Sequence, residues 1–201
     1  MGFNLYYRAL QGTPHKWLDI AAAQCSRYAP SHCEIEAICY YTARVSGRLD
    51  IEAPKRQHAY LRAIATLPKV KIHYGNFLIN QKWAGLVQPP LFRPSFDLSK
   101  SQNPEVAYVW KTEENGFAVN LSGHLVRDAC LKKFDLTAVL TNDTDLVEPI
   151  RIVTQELSLP VTLLIPNRKG EPSKSLVDVV TSVRHVKPCV ATCQLPESIL
   201  V

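Results

Sequence analysis

Leu136-Thr137-Ala138-Val139-Leu140-Thr141-Asn142-Asp143-Thr144-Asp145-Leu146 reads as a strand, a polar turn and the opening of a helix. Residues 136–140 are apolar or β-branched throughout, the pattern of a strand buried on both faces. Beyond the turn, Leu146, Ile150, Val153 and Leu157 recur at helical spacing, which predicts a helix over 146–157. Residues 161–165 form a second buried-type strand. Strand, helix and strand in this order fit a parallel crossover. In such sheets ligands gather outside the carboxyl ends of the strands, and that rule singles out Asp143 and Asp145.

The same alternation runs along the rest of the chain. A helix is predicted over 15–28, with Trp17, Leu18, Ala21, Ala22 and Cys25 on one side and a stop at Pro30-Ser31. Residues 34–45 are rich in β-formers and end at Ser46-Gly47, so a strand is predicted. A helix over 54–67 enters through Pro54, and 70–77 is a further strand. Residues 88–103 carry Pro89, Pro90, Pro94 and three serines and read as a loop. A short strand over 106–110, an amphipathic helix over 119–132 and a last helix over 175–184 complete the reading. The expectation is a single α/β domain over 1–201, with a parallel sheet and helices on both faces.

Composition narrows the function. Apolar residues make up 46% of the 201, enough for a real core. No apolar run approaches the ~18–20 residues of a membrane span. The opening Met1-Gly2-Phe3-Asn4-Leu5-Tyr6 fits neither a signal peptide nor a myristoylation site, which wants Ser or Thr where Tyr6 stands. Cys25, Cys33, Cys39, Cys130, Cys189 and Cys193 include no Cys-x-x-Cys pair and no finger spacing with histidine. Free thiols in a reducing cytoplasm are expected, with Cys39 and Cys130 as small buried hydrophobes. A net charge of +5 suits a polyanionic partner without demanding one. A homo-oligomer stays open.

The sharpest chemical feature is Asn142-Asp143-Thr144-Asp145. Two carboxylates two residues apart at a strand end can share a hard cation such as Mg²⁺ or Mn²⁺. The positive end of the following helix favours a phosphate at the same place. The plainer alternative is a helix cap, for which Asp, Asn and Thr are the usual residues. Asp145 and Glu148 also have capping-box spacing. His32, His58, His73, His124 and His185 form no triad with a nucleophile elbow, and the chain has no Gly-x-Gly-x-x-Gly or Walker motif. Tyr6-Tyr7 and Tyr40-Tyr41 read as packing rather than base-stacking platforms. Arg44, at a strand end, and Lys111 could contact phosphates or be solvated edge residues.

Three segments resemble the motifs of the NYN branch of the PIN-like ribonucleases. Gly2-Phe3-Asn4-Leu5-Tyr6-Tyr7 is similar to the opening motif, where an Asp precedes Gly. Ala118-Val119-Asn120-Leu121 is similar to the middle motif, where an Asp precedes Val-Asn-Leu. Thr141-Asn142-Asp143-Thr144-Asp145-Leu146 is similar to the third. The closing Cys193-Gln194-Leu195-Pro196 adds a weaker likeness.

The resemblance implies a PIN-like three-layer fold with a central parallel sheet, and Mg²⁺- or Mn²⁺-dependent hydrolysis of RNA. It implies Asp143 and Asp145 as metal ligands, Asn4 as an orienting group, and Asn142, Arg44 and Lys111 toward RNA. Met1 and Ala118 stand at two acid positions and offer a hard cation no ligand. The two remaining carboxylates, with Glu113 and Glu114 as solvated neighbours, would bind metal weakly. The family's first strand would precede Gly2 at the centre of the sheet, so the resemblance leads to the expectation of a gap or exposed edge beside the strand that ends at Leu140. A misassigned start, a shortened chain and a decayed gene copy would each give this pattern. Two functions are therefore carried forward: an impaired endoribonuclease, and a non-catalytic relative that binds RNA or protein. A metal-dependent phosphatase is a distant third.

Overall fold

The structure is a computed structural model that describes residues 2–27, 33–48, 50–88, 90–92, 104–166, 171–186 and 190–196, with the backbone alone at 24–27, 77 and 113–115. Expectations placed on Met1, Tyr28, Pro30, Ser31, His32, Cys189 and most of 88–103 lie outside the described residues, as do the Cys25, Glu113 and Glu114 side chains.

Helix α1 (Gly2–Leu5) runs on into a π-type turn (Tyr6–Leu10). Helix α2 (Ile20–Arg27) follows, then strand β1 (Ile38–Ala43), helix α3 (Ala53–Ala65) and strands β2 (Val70–Gly85) and β3 (Val106–Asn115). Helix α4 (Phe117–Cys130), strand β4 (Thr137–Leu140) and a 3₁₀ turn (Thr144–Leu146) lead into α5 (Val147–Arg151). Strand β5 (Val161–Ile165), helix α6 (Lys174–Val177) and strand β6 (Ser182–His185) close the order.

The molecule is mixed α/β, but the expected central sheet is divided. One three-stranded sheet has the order β1-β2-β3, parallel between β1 and β2 and antiparallel between β2 and β3. The other, β4-β5-β6, is wholly parallel. Side-chain alternation shows how they lie. Ile38 and Tyr40 of β1 share a core with Ala138 and Leu140 of β4. Tyr41 of β1 shares the other core with Val139. The two sheets therefore have the same two faces, with α2 and α3 on one and α4, α5 and α6 on the other. Because β2 and β5 take the outer sides of β1 and β4, the remaining edges of those two strands form a seam. No described strand fills it.

Sheet β4-β5-β6 has the drier core. Val161, Leu163, Leu164 and Ile165 of β5 are fully buried, as are Leu146, Ile150, Val153 and Leu176 around them. Cutting one such side chain to Ala costs about 2–5 kcal/mol. At the seam, Gly2 packs so closely on β1 that a Cβ would fall 2.6 Å from the Tyr40 hydroxyl.

Several expectations change. The predicted 15–28 helix begins only at Ile20, where Asp19 Oδ1 accepts from the Ala21 and Ala22 amides at 2.9 and 2.8 Å. Leu18 instead bridges Gln194, and the Leu195 amide donates to Trp17 O. The predicted 175–184 helix stops at Val177, and its second half becomes β6. Strands β2 and β3 run far past Phe77 and Trp110. Cys39 and Cys130 are exposed rather than buried, while Cys193 is buried. Tyr6 and Tyr7 are exposed, Tyr7 stacking on Phe3.

Helix α4 meets the first sheet through an aromatic cluster. The Tyr41 hydroxyl lies 2.9 Å from His124 Nδ1, and His73 stacks on Tyr41 with its ring centroid 4.6 Å from that of His124. His73 Nε2 is buried with no hydrogen-bond partner among the described residues. Burial first, then the neighbouring His124, Arg127 and Lys71, hold the His73 pKa below its ordinary value, with Asp128 opposing. Cys39 of β1 adjoins Tyr41 in the same group.

Two outcomes follow. A depressed histidine pKa contributes stability that is complete above the unfolded value of about 6.5 and lost as pH falls through the folded value. Thermal unfolding midpoints should drop as pH falls below about 6.5, and His73→Phe should flatten that slope. Hydrogen exchange should find the seam: the Ala138 amide, which alternates away from β5, should exchange faster than that of Thr137, which donates to Pro160 O. Equal, global-level protection of both would mean that another segment closes the sheet.

Candidate functional site

The seam strand β4 delivers its carboxyl end to the acidic turn. The Thr141 amide donates to Leu164 O of β5 at 3.2 Å, fixing the first residue past the strand. Thr141 is fully buried, and its Oγ1 accepts from the Asp143 amide at 3.0 Å. Asp143 Oδ1 in turn accepts from the Asp145 amide at 3.2 Å, so Asp143 caps the 3₁₀ turn from extended backbone geometry. Asn142 Oδ1 accepts from the Ser173 amide at 2.8 Å, which ties the turn to the start of α6. Asp143 is half-buried and Asp145 exposed.

The cap expected at Asp145 thus belongs to Asp143. The capping box with Glu148 does not form, because Glu148 is taken by Arg151, whose Nε and Nη2 donate to its two oxygens at 2.8 and 2.6 Å. Arg151 Nη2 also reaches Glu156 at 2.8 Å. These contacts hold the Glu148 carboxyl below its usual range and the guanidinium above its own. The pairs are exposed, so their contribution to stability is small.

Ala118 lies in the first turn of α4, behind Gly116, whose φ of +88° suits glycine. Its side chain packs against the core that holds Phe117, Leu121 and Leu146, so helix start and acidic turn share one cluster. Ser122 Oγ donates to Ala118 O at 2.7 Å. Asn4 belongs to α1, where its Oδ1 accepts from Arg8 Nε at 3.1 Å. Arg44 follows the end of β1, with its guanidinium 5.1 Å from the centre of the Tyr74 ring. Lys111 is on β3, paired in register with Asn80.

The structure thus brings together Asn142, Asp143 and Asp145 just past the end of β4, and places Ala118 in the first turn of α4, against the core cluster that also holds Leu146. It places Asn4 on α1, Arg44 beyond β1 and Lys111 on β3. Sequence reasoning missed Ser173, which holds Asn142, and Thr141, which holds Asp143. A serine 31 positions away carries no signal in one sequence.

In donor chemistry, two carboxylates with room for water fit Mg²⁺ or Mn²⁺, which are commonly held by one or two carboxylates plus water and phosphate. Among the described residues no three His, Cys, Asp or Glu side chains gather as a metal group. The cap bond engages one Asp143 oxygen, so metal and cap compete for the same carboxylate.

The cap gives its own test. Asp143→Ala should lower stability by about 1 kcal/mol in urea unfolding, while Asp143→Asn, an equally good cap, should stay within about 0.5 kcal/mol of the parent.

No family model matches the chain. It is similar to 6-hydroxy-3-succinoylpyridine 3-monooxygenase HspA of Pseudomonas putida, with 24% identity over 229 aligned residues that span 98% of this chain and 69% of that protein. Among solved structures, a Vibrio parahaemolyticus protein of unknown function aligns at 10% identity with a TM-score of 0.31, over 76% of this chain and 95% of that one.

Proposed function

We propose that this chain is a metal-dependent endoribonuclease of the NYN type, with a PIN-like arrangement of its two sheets, and slow in its present form. One observation carries the reading. Asp143 and Asp145 lie in a turn held at the carboxyl end of a parallel strand, with Asp145 open to solvent. The three sequence motifs and the net charge of +5 support it. Free thiols at Cys33, Cys39, Cys130 and Cys193 accord with a reducing compartment such as the cytoplasm. No described helix is long and apolar enough to cross a membrane.

The role of each residue follows from its chemistry. Asp143 and Asp145 would hold Mg²⁺ or Mn²⁺, which when bound neutralises phosphate charge and acidifies water. Asn142, already fixed by Ser173, keeps the turn in register. Asn4 orients by its carboxamide, and Arg44 and Lys111 draw the polymer in through its phosphates. Ala118 leaves the cage short by one oxygen ligand.

A second reading is a non-catalytic relative that binds RNA or protein, favoured by the capping role that already occupies Asp143. The likeness to HspA adds a hydroxypyridine as a compound worth testing for binding.

Single-turnover cleavage of a labelled RNA across a Mn²⁺ titration tests the proposal. The parent chain should cleave slowly. Ala118→Asp should shift the Mn²⁺ midpoint to lower concentration, since an acid in the first turn of α4 is also favoured by the helix dipole. Adding Asp143→Asn to that variant should abolish cleavage with circular dichroism unchanged. Cleavage indifferent to Asp143→Asn would place the active site elsewhere, and RNA binding without cleavage in every version would favour the second reading.

A further inference from the structure

Helix α4 is held to the two sheets by different means. Toward β4-β5-β6 it offers Leu121, Leu125 and Ala129, buried in the core that also holds Val139, Leu163 and Ile165. Toward β1 and β2 it offers His124, whose ring meets those of Tyr41 and His73.

This ring group suits neutral histidines. The Tyr41 hydroxyl and His124 Nδ1 share one hydrogen bond of 2.9 Å, and a neutral imidazole can take either end of it. His73 lies nearly flat on Tyr41, with 17° between the planes and 4.9 Å between the centroids, and edge-on to His124 at 4.6 Å. Its Nε2 is sealed from solvent and meets no partner among the described residues. A first proton, on His124, is accommodated, because Nδ1 then donates and the Tyr41 hydroxyl accepts. A second, on His73, is not. An Nε2–H would have no acceptor, and two like charges would stand ring against ring.

The surroundings do not relieve that conflict. From β1, Cys39 and Tyr41 face the pair, and burial raises both of their pKa values, so both stay neutral. Lys71 comes from β2, and Arg127 and Asp128 from α4. Strand β3 pairs with β2 only from Asn76 onward, beyond His73. Asp128 is the acid of the group, but Arg127 Nη2 at 2.7 Å and Lys133 Nζ at 3.3 Å already engage it.

We propose that His73 and His124 form a proton-operated clasp between α4 and the first sheet, closed while at least one ring is neutral and released when both are charged. On release, His73 Nε2 gains water and the two charges part. The contacts of α4 with Val139, Leu163 and Ile165 are between apolar side chains, so the second sheet keeps the helix. A ring that is harder to charge when the clasp is closed favours closure above its closed-state pKa and opening below it. Acid therefore loosens the join between the sheets before it unfolds either one. The clasp does not depend on the chemistry of the acidic turn.

Long-range ¹H–¹⁵N spectra of the histidine rings, with ring-to-ring NOEs, test this in the full chain between about pH 7.5 and about pH 4.5. At the upper limit the Tyr41–His124 NOE should be present and His73 neutral. By about pH 5 both rings should be charged and the NOE lost, while the amide resonances of Val161 to Ile165 stay in place. His73→Phe keeps a ring against Tyr41 and removes the second proton, so its Tyr41–His124 NOE should persist at about pH 5. The titration of the parent decides the matter even if that variant fails to fold. Both rings charged with the NOE intact, rings that stay neutral down to about pH 4.5, an NOE lost only together with the resonances of the second sheet, or the same loss in folded His73→Phe would each overturn the clasp.

Discussion

The seam between β1 and β4 is the constraint from which the rest of the molecule follows. Neither strand pairs with a described strand on that side, yet each contributes alternate side chains to the same two cores. Among the described residues the two sheets are therefore joined by side-chain packing and not by a strand ladder. Helix α4 spans the join, meeting the first sheet through His124 at Tyr41 and His73, and sharing through Leu121 and Leu125 the core that holds Val139 of β4 and Leu163 of β5. On the other face, Leu61 and Ile64 of α3 pack with Leu164 of β5 and with Val186 and Leu195 beyond β6. Gly2 fits against Tyr40 at the same join because it has no side chain to displace.

This arrangement gives the acidic turn a firm base and a loose border. Its base is β5, through Thr141 and Leu164, and α6, through Asn142 and Ser173. Its border is the seam and the first turn of α4, where Ala118 stands. The same carboxylate that would serve a cation is already serving the 3₁₀ turn. Capping and ligation are compatible only in part, since Asp143 keeps its second oxygen while Oδ1 accepts from the Asp145 amide. A site of this kind needs further oxygen ligands from water or phosphate before it can hold a hard cation well.

How far the sequence spoke depends on how local each signal was. Strands β4 and β5 were legible because they are short apolar runs, and α3 because Pro54 marks its first turn. Strand β6 was not, since Ser182-Val183-Arg184-His185 has half-exposed and exposed positions that also fit the end of a helix. Strand β2 was cut short because Asn80, Gln81 and Lys82 are weak β-formers whose strand state depends on pairing with β3. Exposure misled at Cys39 and Cys130, which sit in apolar segments yet are exposed, Cys39 near the start of β1 on the same face as Tyr41. Of the site, Asp143 and Asp145 were visible as a motif. Their hydrogen-bond partners Thr141 and Ser173 were not, because such contacts are made only in three dimensions.

The claim that a divalent cation belongs at the end of β4 can be read most directly by paramagnetic broadening of backbone amide resonances in a Mn²⁺ titration. The account predicts loss of intensity first at Asn142, Asp143 and Asp145, spreading to Ala118 and the start of α4, and displaced by excess Mg²⁺. Uniform broadening across the surface, or broadening centred on residues remote from this turn, would contradict it.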